Sequence, residues 1–245
     1  AIHTVIQNYT REAGVRGLER QIGTLCRKAA VEAAKDSEVK IRISNRNIKK
    51  FLGNYKYTLD AVSDKPQVGI VRGLAWTSVG GDTLEIEVNV MKGKGALQLT
   101  GKLGDVMQES AKIALSYVKS QLTDVVADDF FEKHDIHLHV PEGAVPKDGP
   151  SAGITMATAM YSACTGKKVK ADAAMTGEIT LRGRILPIGG LKEKILAAKA
   201  VGVKLVFVPE KNRKDVEEFD SEVTECVDIR FVTEAPEVWK LVLEE

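Results

Sequence analysis

The sequence predicts an α/β (α+β) domain preceded by a small all-α segment, on three observations. Apolar residues recur at helical spacing through residues 1–52. From Val68 onward, short β-rich runs alternate with amphipathic helices. Between the two lies a polar stretch containing Asp60, Ser63, Asp64 and Pro66, whose turn-forming residues predict a linker over 58–67. At 245 residues the chain is long enough for one large domain or two modest ones.

In the first segment, Leu18, Ile22, Leu25, Ala29 and Ala33 define one face of a helix, and Arg and Glu fill the other. A basic stretch from Ile41 to Lys50 runs into Phe51-Leu52-Gly53, a helix stop. After the linker, Gly69–Trp76 and the strictly alternating Leu84–Val90 read as strands. Lys92–Gly95 is a turn before a third strand, Ala96–Thr100. The pattern then predicts a helix over 105–121, a strand over 136–140, a turn-rich loop from Pro141 to Pro150 and a helix from Ser151 to Cys164. Strand-like pieces follow near Ala174 and Ile185. A helix over 191–201 is closed by Gly202, and Lys204–Pro209 is an apolar strand. The tail carries a helix, a strand near Ile229 and a last helix from Pro236.

Composition narrows the function classes. Hydrophobic residues make up 44% and charged residues 28%, as in ordinary globular protein. The net charge of +1 gives no global electrostatic case for nucleic acid or membrane. No apolar run is long enough to span a bilayer, so no membrane partner is expected. Cys26, Cys164 and Cys226 have neither metal nor redox spacing and read as reduced thiols in a cytosol-like compartment. The chain begins inside what reads as folded sequence and is expected to be part of something longer.

The most informative stretch is Pro146-Lys-Asp-Gly-Pro-Ser-Ala-Gly153. Pro150 suits a first helical position, which puts Ser151 at a helix N-terminus where free N–H groups favour negative charge. An oxyanion formed by attack of the Ser151 hydroxyl would find donors there. On residue types alone, a Ser151 or Asp148 that merely caps the helix is the commoner reading.

A serine nucleophile needs a base. His134, His137 and His139 lie just before the serine loop, so a Ser-His-Asp triad is one option. The other is a lysine of the helix over 191–201. At about 100° per residue, Leu191, Ile195, Ala197, Ala198 and Val201 form an apolar arc with Lys194 inside it. Lys192 and Lys199 fall at its edge and pair with each other. Burial disfavours an ammonium: a drop from about 10.4 to about 7.5 requires roughly 4 kcal/mol of differential solvation. A lysine whose stem packs while its amine reaches water is the bland alternative.

These residues resemble a known family. Pro146–Gly153 is similar to the serine signature of Lon proteases of the bacterial and mitochondrial type, and Gly189-Gly-Leu-Lys-Glu-Lys194 to their lysine signature. Thr176–Gly183, Gly73–Thr77 and Gly80–Asp82 resemble other segments of the same domain, in order and without a gap. The resemblance covers Val68 to Glu245. It implies a Lon-type Ser-Lys proteolytic domain over 68–245, a serine endopeptidase with Ser151 as nucleophile and Lys194 as base. Thr176 is then the hydroxyl that orients the amine, and Asp148 a loop residue that occupies or shapes the resting site. Trp76 reads either as a wall of the substrate groove or, more commonly for tryptophan, as core.

Residues 1–57 resemble the end of the α-helical subdomain of an AAA+ module. Tyr9–Arg20 is similar to the sensor-2 region, which makes Arg16 the residue that would approach ATP phosphates in a full-length protein. No G-x-x-x-x-G-K-[ST] occurs, so no cofactor is expected in this chain, and ATP with Mg is implied only for the full-length enzyme. The resemblance further implies unfolded or damaged proteins as substrates, a homohexamer, a cytoplasmic bacterial location and a role in protein quality control and stress response. It also implies DNA binding through Lys40, Arg42, Arg46, Lys49 and Lys50. Two rival readings follow from residues alone: a metal site built on His134, Asp135, His137 and His139, and a non-catalytic nucleic-acid or assembly module built on that basic patch.

Overall fold

A computed structural model describes residues 1–36, 38, 40–58, 65–141 and 145–244. The chain divides into two compact units, Ala1–Asp60 with Ser78–Gly80, and Ala61–Thr77 with Gly81–Glu245. The expected linker falls mostly outside the described residues, and its last position, Gln67, belongs to the short strand Gln67–Val68.

The first unit is all-α, but not one continuous helical run. Helices Ile2–Tyr9, Arg16–Lys35 and Ile48–Leu52 are separated by extended and turn segments. The break before the second helix has a local cause. Glu12 accepts hydrogen bonds from the Gly17 and Leu18 amides at 2.7 and 2.9 Å, which satisfies donors at the start of that helix. Val5, Tyr9, Leu25, Ile48 and Phe51 form the core, with Leu18 and Ala29 against it. Ile22, assigned to the same face by its spacing, is exposed.

The second unit is built on a seven-stranded mixed sheet. From edge to edge the strands are Asp228–Val232, Leu205–Pro209, Ala173–Met175, Ile70–Thr77, Gly80–Lys92, His134–His139 and Leu97–Thr100. The first four are mutually parallel. Parallel strands need cover on both faces, and the inner strands Ala173–Met175 and Leu205–Pro209 are accordingly near-continuous apolar runs, whereas the edge strand Asp228–Val232 alternates. Val71, Met175 and Phe207 point into a core shared with helices Asp105–Gln121, Gly153–Thr165 and Ala235–Val242. Leu74, Ala174, Val206 and Val208 point the other way, onto helix Leu191–Val201. In Gly80–Lys92, by contrast, Ile86 and Val88 are buried while Glu87 and Asn89 are exposed, which is why that strand alternates.

The expected elements from Gly69 onward are present among the described residues, within a few positions, while 142–144 of the expected loop lie outside them. Elements absent from the reading are short. They include the turn of helix Phe130–Lys133 and a three-stranded sheet in which Lys168–Val169 is flanked by Gln67–Val68 and Leu243–Glu244. Two-residue strands carry too little pattern to be read from sequence.

Candidate active site

In an open α/β sheet, loops at the carboxyl ends of parallel strands converge on a crevice. Here that crevice is a groove of about 920 Å³ within the second unit. Ser151 and Lys194, 43 positions apart in sequence, line the same groove.

Ser151 sits in a 3-10 turn, Pro150–Ala152, that runs directly into helix Gly153–Thr165. Pro150 occupies the first turn as its chemistry favours. Gly149 before it has φ +118°, a conformation that side chains resist, so the sharp entry needs glycine. The turn is fastened to the end of strand Ala173–Met175. The Gly177 amide donates to the Ser151 carbonyl at 2.8 Å, and the Ile154 amide donates to the Gly177 carbonyl at 3.1 Å.

Lys194 lies in the first turn of helix Leu191–Val201, on its buried face with Leu191, Ile195 and Ala198. The residue is 3% exposed. Its amine donates to the Thr176 hydroxyl at 3.2 Å. Thr176, 1% exposed, in turn donates to the Ser151 carbonyl at 3.3 Å. The threonine proton is therefore directed at Ser151, and its lone pairs face the lysine. Burial pulls the Lys194 amine down from its ordinary range to about 8, since a dry site disfavours the ammonium. Lys192 and Lys199 do not pair with each other. Lys192 reaches Asp220 at 3.7 Å and Lys199 donates to the Glu222 carbonyl, because both flank the segment packed beside their helix.

Asp148 is at the groove, but its carboxylate faces elsewhere. It accepts from the Met107 amide at 3.0 Å and the Gly149 amide at 2.9 Å. It thus caps helix Asp105–Gln121 and shapes the serine loop from that anchor. Trp76 is not core: it is 61% exposed and lines the groove, with its ring against Gly190. Arg16 belongs to the other unit, exposed at the first position of helix Arg16–Lys35.

Sequence reasoning missed Asn212. Its buried side chain accepts from the Ile188 amide at 3.0 Å and donates to the Ile188 carbonyl at 2.9 Å, pinning the loop that leads into the lysine helix. A lone asparagine 24 positions away gives no local signal of that contact.

The rival sites are otherwise occupied. His137 and His139 both share hydrogen bonds with the Thr100 hydroxyl, at 2.9 and 2.7 Å, and Asp135 accepts from the Lys94 and Ala96 amides. Among the described residues no group of three or more His, Cys, Asp or Glu side chains could hold a metal. Burial pushes the Cys164 thiol up to about 12, which keeps it protonated and non-nucleophilic. No helix among the described residues is long and apolar enough to cross a membrane.

Residues 42–245 match the family model for the Lon protease (S16) C-terminal proteolytic domain, and residues 1–42 that for the Lon protease AAA+ ATPase lid domain. A Lon protease of Lachnoclostridium phytofermentans is 52% identical over 99% of this chain and 35% of its own length. One of Finegoldia magna is 53% identical over 99% of this chain and 31% of its length. Lon protease 1 of Bacillus subtilis is 55% identical over 92% of this chain and 29% of its length. The chain thus spans about a third of the curated relatives it matches.

Proposed function

The chain belongs to the Lon protease family and carries its proteolytic domain, and from that premise we propose that Ser151 and Lys194 form the catalytic pair of a serine endopeptidase. The observation that carries this reading is the buried lysine. An amine brought down to about 8, with a hydroxyl as hydrogen-bond partner and a serine in the same groove, reaches its neutral form far more readily than an ordinary lysine and can serve as a base.

The proposed steps use the residues that line the groove. Neutral Lys194 takes the Ser151 proton as Oγ attacks the carbonyl carbon of the scissile bond. The new C–O bond places negative charge on the carbonyl oxygen. N–H groups at the start of the Ser151 turn have no acceptor within their own turn, and the Ser151 amide is the natural donor to that oxyanion. The Lys194 ammonium then returns its proton to the leaving amine, the C–N bond breaks, and an acyl-enzyme remains. Lys194 next removes a proton from water, the hydroxide displaces Ser151, and the proton goes back to Oγ. Thr176 orients the amine throughout: it occupies one N–H and leaves the nitrogen lone pair to the remaining directions. Trp76 forms an apolar wall for substrate side chains.

The longer protein would supply ATP hydrolysis with Mg, and with it the capacity to unfold damaged or regulatory proteins. Arg16 would face the nucleotide there. A ring of six, DNA contact through Lys40, Arg42, Arg46, Lys49 and Lys50, and work in bacterial cytoplasm complete the reading by family kinship. In this structure Lys50 already pairs with Glu32 at 2.7 Å, and Lys49 lies over the Tyr55 ring, so that patch is partly engaged.

The test uses a small fluorogenic peptide, which needs no unfolding. Ser151→Ala and Lys194→Ala are each expected to abolish turnover while circular dichroism stays unchanged. Near-normal turnover by either folded variant refutes that residue's role.

A further inference from the structure

The lysine helix is approached at one point more closely than a side chain allows. A Cβ built on Gly81 would stand 1.9 Å from the backbone carbonyl oxygen of Glu193 and 3.0 Å from the Ala197 Cβ. The first atom is backbone in the first turn of the helix and cannot rotate away. Gly81 therefore fits into one turn of helix Leu191–Val201, against the residue directly before Lys194. Its neighbours Asp82 and Thr83 continue as a wall of the groove that holds the lysine.

We propose that Gly81 is a positioning residue for the lysine base: lacking a side chain, it lets strand Gly80–Lys92 close directly on the lysine helix and seals that side of the amine from water. This rests on the reading of Lys194 as the base. The physical argument is one of packing. An added methyl group forces strand and helix apart by the radius it occupies, and a gap beside a buried amine in an open groove fills with water. Hydration favours the ammonium, and the amine becomes a worse base at neutral pH.

Charged groups on the surrounding elements do not supply the effect. Those lining the groove are Asp82 on the strand, Lys147 and Asp148 on the serine loop, and Glu193 on the helix itself. Arg72 lies on the neighbouring strand, and its guanidinium is held by Glu85 and Thr83. Desolvation alone lowers the Lys194 amine, so access of water is the variable that Gly81 controls.

The experiment compares the parent chain with Gly81→Ala, Gly93→Ala and Lys194→Ala. Gly93 lies outside the groove lining, with an added Cβ falling 2.1 Å from the Asp135 carboxylate carbon, and controls for the general effect of crowding a glycine of the same strand region. Two readouts are taken: the pH dependence of peptide turnover, and a titration of the lysine side chains by NMR of ε-13C-lysine, with the Lys194 signal assigned by its loss in Lys194→Ala. In Gly81→Ala both midpoints are expected to rise by about one pH unit or more, which at pH 7.5 cuts the neutral amine about eightfold. In Gly93→Ala both are expected to stay with the parent. If Gly81→Ala does not fold, Ala197→Val widens the same contact from the helix side and must move both midpoints upward. Unchanged midpoints in the folded Gly81 or Ala197 variant, with Lys194→Ala inactive, overturn this proposal alone. Turnover retained in Lys194→Ala instead overturns the base assignment, whatever Gly81 does.

Discussion

Replacing Lys194 by methionine is expected to make the protein more stable while making it inactive. Methionine keeps an unbranched stem of similar length and discards the charge. The folded amine titrates near about 8, against 10.5 for an unhindered lysine. The difference corresponds to a penalty on the order of 3 kcal/mol for holding the ammonium in the fold at neutral pH. The sign then fixes the pH dependence. Below pH 8 both folded and unfolded chains carry the proton, and the parent bears the whole penalty. Between about 8 and 10.5 the unfolded state binds more protons, so the parent gains stability as pH rises. The penalty vanishes above that window. Thr176 is not orphaned by the change, because its hydroxyl still donates to the Ser151 carbonyl. The assay is urea unfolding of parent and Lys194→Met at pH 7 and pH 10, with peptide turnover alongside. A variant more stable at pH 7, with the gap shrinking at pH 10, is expected. A variant no more stable than the parent at pH 7, or a gap that does not depend on pH, would refute the claim that burial lowers this amine's affinity for a proton.

Two further outcomes bear on the residues around the pair. Thr176→Val keeps the buried shape and removes the acceptor from the Lys194 amine. Turnover is expected to fall about 10- to 100-fold through lost orientation. The midpoint of its pH profile should move down, since the ammonium loses its only described partner more than the amine does; an upward move would refute the orienting role. Asp148→Ala removes the acceptor for the Met107 and Gly149 amides and is expected to cost about 1 kcal/mol in urea unfolding. Asp148→Asn, which keeps an acceptor oxygen, is expected to recover most of that loss; equal stability of the two variants would count against the cap.

Local pattern was sufficient for the elements that carry the site. Pro150 and Gly149 marked a sharp helix entry at Ser151, and the buried arc of the helix closed by Gly202 contained Lys194, because helical geometry assigns faces by spacing alone. Spacing did less well where packing decides. It put Ile22 on the buried face and paired Lys192 with Lys199, whereas both lysines serve the segment at Asp220 and Glu222. It also favoured a core setting for Trp76, which stands on the groove wall instead.

What the sequence by itself determined were the longer strands and helices of the second unit, the buried face on which Lys194 sits and, through its two signatures, the family. Only the tertiary structure decided the order of the seven strands, the cap that Asp148 places on a helix 41 positions upstream, the Asn212 clamp and the fit of Gly81 against Glu193. The physical reason is range. Backbone geometry is set by a residue and its near neighbours. The burial that lowers the Lys194 amine is set instead by atoms that distant segments bring to it.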